Sequence, residues 1–210
     1  MRFPLSLSAC RKLVHCFGLV CITVLFSGCA FSKTPVKIVL SPKATQPLSS
    51  AKAAIQVGEV KDDRTKSDPR AVWQKANAHG TTSGAFVADR PVSELFREAI
   101  EAALRANSFN VIASETSYEL KTQIMDLRVD GLQTGMLSST VVSKLSVRFE
   151  LFDKATGNSV WRDTLVGKTE DKPGWGGTAF VEKNFKAVAE DVLNLLVADR
   201  TFRKFFEQKP

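Results

Sequence analysis

The chain has 210 residues, 29 Lys+Arg against 22 Asp+Glu, and a formal charge of +7. The basic residues form no stripe, which argues against nucleic acid as a partner. Four cysteines in this length exclude a disulfide-dense scaffold.

The first residues read as an export signal. Residues 1–12 carry Arg2, Arg11 and Lys12 and no acidic residue. Residues 13–26 follow without charge. That run is short for a membrane span, which needs roughly 20 apolar residues. It ends in Leu25, Phe26, Ser27, Gly28 and Cys29. Small residues at Ser27 and Gly28 suit a signal peptidase pocket, and Cys29 supplies a thiol able to take a diacylglycerol thioether. The pattern resembles a bacterial lipobox, with Phe26 where Leu is usual. It implies cleavage between Gly28 and Cys29 and lipidation of Cys29. The alternative is an uncleaved anchor over residues 13–31. Ala30, rather than Asp, follows Cys29. The expected address is therefore the outer membrane, with the domain in the periplasm, in preference to the inner membrane. Two or three acyl chains on one Cys hold a protein firmly, because each buried methylene contributes about 0.8 kcal/mol.

Removal of residues 1–28 takes away three basic residues and no acidic one, so the mature charge is milder than +7. It also removes Cys10, Cys16 and Cys21. Cys29 then stands alone and is consumed by lipid, which leaves no disulfide and no Cys-based metal site.

Residues 29–53 are rich in Ser, Pro, Lys and Thr and read as an extended tether after the lipidated Cys. The apolar run 36–40 is a candidate edge strand. Residues 54–210 read as a single domain. Its first core strand spans 54–60 and ends at Asp62, Asp63 and Arg64. Those three form either a recognition point or an ion pair that fixes the strand end. Residues 71–74 and 85–88 could pair as a hairpin carrying Trp73 and Phe86.

Residues 92–106 repeat apolar side chains at helical spacing, and Pro91 suits the first turn. Asn107 can close this helix in the left-handed conformation. Residues 109–112 then form a short strand. Residues 118–129 alternate as Tyr118, Leu120, Thr122 and Ile124, then change phase to Met125, Leu127 and Val129. That shift predicts a bulge or burial of both faces. Residues 141–151 alternate most cleanly, with Val141, Leu145, Val147, Phe149 and Leu151 on one side. Residues 153–158 form a hairpin turn with Gly157 at positive φ, and 160–169 return. Residues 170–177 form a loop around Trp175. The last helix spans about 181–199, after which Phe202, Phe205 and Phe206 should dock on the core.

The expected class is α+β: a mainly antiparallel sheet with two helices on one face, preceded by a signal peptide and an extended tether.

No chemical constellation stands out. His79 is the only histidine left after cleavage, so a multi-histidine site is excluded. There is no nucleophile elbow and no phosphate-cradling loop. No metal, cofactor or catalytic residue is expected. Trp73, Phe86 and Trp175 are candidate partner-binding residues, because Trp is enriched in interface hot spots. For Trp175 the alternative is a loop folded back to cap the core. Trp161, within a strand, reads as core.

The mature chain resembles the YajG-like family of bacterial lipoproteins. The likeness lies in Cys29, the run from Pro35 to Pro42, and Asp62-Asp63-Arg64-Thr65. It continues through the helix with Leu95, Ile100 and Leu104, the Asn107-to-Val111 turn and the hairpin at Gly157. The last element is a terminal helix with Leu195, Leu196, Asp199, Phe205 and Phe206. The resemblance implies an α+β periplasmic domain on a lipid anchor and implies no catalytic residues. Three functions follow as expectations. The first is a non-enzymatic lipoprotein that binds an envelope protein and touches membrane lipid through Cys29. The second is a lipid-handling or ABC-transporter-associated accessory lipoprotein. The third is an envelope hydrolase dependent on His79.

Overall fold

The computed structural model describes residues 32–51, 53–65, 68–76, 82–114, 116–133, 139–172 and 177–207. Strands β1 (Ser32–Pro35), β2 (Ala54–Asp62), β3 (Ala71–Ala76) and β4 (Thr82–Val87) lead into helix α1 (Val92–Ala106). Then come β5 (Asn110–Val111), β6 (Tyr118–Gln133), β7 (Ser139–Asp153) and β8 (Ser159–Asp171). Helices α2 (Thr178–Ala198) and α3 (Arg200–Glu207) follow. The class is α+β.

The strands form two sheets, a five-stranded one in the order β5-β2-β6-β7-β8 and a three-stranded one in the order β1-β4-β3. Long β6, β7 and β8 form an antiparallel meander. The sheet as a whole is mixed, because β2 runs parallel to both β5 and β6. Helix α1 carries the chain back to the starting end of β2, so the strand after it runs the same way.

Alternation in β7 has its expected result. Leu145, Val147, Phe149 and Leu151 are buried, while Lys144 and Arg148 are exposed. The phase change in β6 is a bulge: the register with β7 shifts between Ile124 and Asp126. After it, Leu127 faces the core. Gly157 turns the β7–β8 hairpin at φ 70°. The expected left-handed residue at the end of α1 is Ser108 (φ 65°), not Asn107 (φ −98°). Asn107 has another task, described below.

Helix α1 packs over β2 and α2 over β7 and β8, so both cover one face of the large sheet. Gly167 allows α2 to come close; a Cβ there would lie 2.4 Å from the Val188 carbonyl oxygen. Between sheet and helices the described apolar side chains gather in one core cluster. Phe96, Phe149, Phe185, Phe202 and Phe206 are all essentially fully buried in it. Fully burying one such side chain contributes on the order of 1.5 to 3 kcal/mol. The C-terminal segment docks as expected, but as a third helix. Asp199 starts it by accepting the Phe202 N–H on Oδ1 at 2.7 Å.

The segment before β2 is extended, as its prolines dictate, but it is not a free tether. Its strand lies at 32–35 rather than at 36–40, pairing parallel with β4. Val36, Ile38 and Leu48 are buried in the main core. Residues 32–51 thus form a strap laid over the domain.

Candidate binding face and N-terminal strap

The strap is fastened along its whole length. At its start, Ser32 opposes Gly84, where a Cβ would come within 2.3 Å of the Ser32 carbonyl oxygen. Glycine is required there so that the two main chains can approach. Next to it, the Lys33 ammonium donates to Asp68 at 2.8 Å. That bond and the Arg70 N–H hold the Asp68 carboxyl far below its ordinary 3.8. Further on, Lys37 N–H donates to Glu182 and Ser41 N–H to Glu190, both on α2. At the far end Asn107 acts as the latch. Its Oδ1 accepts the N–H groups of Thr45 (3.0 Å) and Gln46 (2.8 Å). Its main-chain oxygen accepts Leu48 N–H at 2.9 Å. Its Nδ2 donates back to the Ala103 carbonyl at 2.8 Å, so the side chain is fully oriented. Asn107 is itself 1% exposed. Arg203 adds a bond from Nη1 to the Gln46 carbonyl at 2.5 Å.

The expected hairpin exists as β3 and β4, and it brings Trp73 and Phe86 into direct register. Neither stands free. Both are half-buried against the main core, and Trp73 meets Phe180 edge-on with ring centroids 5.8 Å apart. The Lys75 ammonium lies 4.8 Å from the centre of the Phe86 ring. Beside Trp73 runs a groove of about 260 Å³, lined by residues 72–74 of β3 and 126–129 of β6.

That groove separates two strand edges. β3 ends the order of the small sheet. β6 loses its β2 partner after Ile124, where β2 stops at Asp62. No backbone hydrogen bond joins 72–74 to 126–129. Main-chain donors and acceptors on such edges are ready to pair with another strand.

The cluster at the end of β2 is mainly structural. The Arg64 side chain is 1% exposed and grips Asp62 with Nε at 2.7 Å and Nη2 at 2.6 Å. Its Nη1 donates to the Ala71 carbonyl at 2.9 Å, which ties β2 to β3. Asp63 points outward; a hydrogen bond from Gln123, then one from Lys61, lowers its carboxyl pKa.

Gly28, Cys29, His79 and Trp175 lie outside the described residues. Trp161 is buried, and its Nε1 donates to Thr201 Oγ1 at 2.9 Å. Among the described residues, no group of three or more His, Cys, Asp or Glu could hold a metal ion. Among the same residues no helix is long and apolar enough to cross a membrane. The strap latch at Asn107 and the groove edges carry no local sequence signal, because both arise from residues far apart in the chain.

No protein-family model matches the sequence, and comparison with curated proteins gives no match. Solved structures do resemble it. One is protein XCC0632 from Xanthomonas campestris, of family DUF330, at a TM-score of 0.55 and 13% identity, covering 79% of this chain and 92% of that one. Another is the hypothetical protein CT253 from Chlamydia trachomatis, at 0.47 and 12%, covering 70% and 95%. A third is a minor lipoprotein from Acinetobacter baumannii, at 0.40 and 14%, covering 72% and 95%. At their TM-scores the last two carry no weight. The first shows the fold: this chain shares the α+β domain architecture of XCC0632.

Proposed function

We propose that the mature chain is an envelope lipoprotein, acylated on Cys29 after cleavage behind Gly28, that binds a protein partner in the periplasm without catalysing a reaction. Membership in the YajG-like family and residence in the outer membrane belong to the same reading. They rest on the lipobox-like residues 25–29, on Ala30 and on the motifs from Pro35 to Phe206.

The observation that carries the binding role is the groove beside Trp73. Two strand edges without a partner among the described residues face it, and an aromatic side chain forms its rim. An extended segment of a partner can add there as a strand, with main-chain bonds giving affinity and side-chain pockets giving choice. Trp73 and Phe86, paired on the hairpin, are assigned to this contact, and Trp175 stays a candidate partner-binding residue on its sequence context alone. The lipid-handling alternative needs an apolar space between sheet and helices, a region where five phenylalanines are already buried.

The test is site-specific photocrosslinking in live cells from Gln74, an exposed residue of the groove wall, with Ala155 as the distant control. The reading expects a discrete adduct with one envelope protein from Gln74 only. Identical adducts from both positions, or none from either, overturn it.

A further inference from the structure

We propose that the end of the domain carrying Ser32 lies directly against the headgroup layer of the membrane that holds Cys29. This rests on acylation of Cys29, the reading given above. Only three peptide steps separate Cys29 from Ser32, and three residues reach at most about 11 Å. Ser32 itself is fixed to the body of the domain. It pairs in register with Gly84, and β1 continues into the docked strap. The domain therefore has no spacer on which to stand away from the bilayer.

The strap also defines which end faces the lipid. It runs along α2 in the direction of that helix, meeting Glu182 through Lys37 and Glu190 through Ser41. It then passes the C-terminal end of α2, where Arg203 of α3 holds Gln46. Ser32 thus lies toward the N-terminal end of α2. The turn between β7 and β8 lies toward the opposite end, because Trp161 near the start of β8 bonds Thr201 of α3. A helix of 21 residues is about 31 Å long, which separates the two ends.

The chemistry of the Ser32 end fits a headgroup layer. Ser32, Lys33, Thr82 and Ser83 are exposed there. The Lys75 ammonium is held by the hydroxyls of Ser32 and Thr34 and by the Phe86 ring. It makes no ion pair with a carboxylate among the described residues. A cation so placed is available to an anionic lipid phosphate, whose attraction acts within a Debye length of the surface. The groove beside Trp73 is near this end, since Trp73 packs on Phe180 in the first turn of α2. A partner is then met at the membrane surface.

The experiment uses the full chain, acylated in cells and reconstituted in vesicles of phosphatidylethanolamine and phosphatidylglycerol. Ser83→Cys and Ala155→Cys each receive a fluorophore, and the vesicles carry a headgroup spin label as quencher. Intact mass first establishes whether Cys29 is acylated. With acylation present, strong quenching at position 83 and none at 155 is expected. A long Gly/Ser spacer inserted between Phe31 and Ser32 should abolish the quenching at 83. Acylated protein with no quenching at 83, or with equal quenching at both positions, overturns the proposal alone. A chain without acyl groups overturns the lipoprotein reading and this proposal with it.

Discussion

The side-chain oxygen of Asn107 receives the main-chain N–H of Gln46 at 2.8 Å, across 61 positions of sequence. It takes the N–H of Thr45 as well. One buried amide at the end of α1 thereby fastens the far end of the strap.

Asn107→Ala should therefore loosen the strap and lower stability by about 1 to 3 kcal/mol, the cost of losing partners for buried polar groups. Asn107→Asp keeps the acceptor but buries a charge and sets an oxygen against the Ala103 carbonyl, so at neutral pH it should also be destabilising. Urea unfolding measures both. A loss below about 0.5 kcal/mol in Asn107→Ala would show that the latch is unimportant.

Gly84→Ala should free the opposite end. Its methyl group would sit 2.3 Å from the Ser32 carbonyl oxygen, and main chain cannot yield cheaply. Overpacking of this kind costs roughly 1 to 3 kcal/mol. Limited proteolysis should cut within residues 36–50 faster than in the native chain, with the β6–β8 meander untouched. An unchanged cleavage pattern would contradict the docking of β1.

The Asp62–Arg64 pair should behave as a buried one. Asp62→Ala leaves the Arg64 guanidinium enclosed without its carboxylate, which costs about 3 to 5 kcal/mol. The double variant Asp62→Leu with Arg64→Met should recover most of that loss. A loss in Asp62→Ala no greater than that of a typical exposed ion pair, under about 1 kcal/mol, would place the pair in solvent.

Acid should act through Asp68. Its folded pKa is depressed, first by Lys33 and then by the Arg70 N–H. A depressed carboxyl contributes stability above its unfolded value, ordinarily 3.8, and loses it as pH falls toward the folded value. The stability difference between native chain and Asp68→Asn should be constant near neutrality and shrink below about pH 4. A difference that grows on acidification would reverse the sign and refute the assignment.

Local pattern made much of this fold legible. The alternation of Val147, Phe149 and Leu151, the apolar stripe of α1, the phase change at Met125 and the turn at Gly157 all act over a few residues. Their consequences match. The strap did not read correctly, because its Pro and Ser content is that of a spacer. Burial of Val36, Ile38 and Leu48 is decided by partners far along the chain. The parallel pairing of β2 was hidden for the same reason. Of the candidate binding face, the pairing of Trp73 with Phe86 followed from the hairpin pattern. The approach of Phe180 and the two strand edges left without a partner among the described residues needed the tertiary arrangement.

The lipid anchor is the central claim, and metabolic labelling with an alkyne fatty acid tests it most directly. Native chain and Cys29→Ala are labelled in parallel, and the membranes are then fractionated. Label on the native chain alone, recovered with the outer membrane, is the predicted result. A native chain that takes no label while keeping residues 13–31 would contradict it and make that segment an uncleaved anchor.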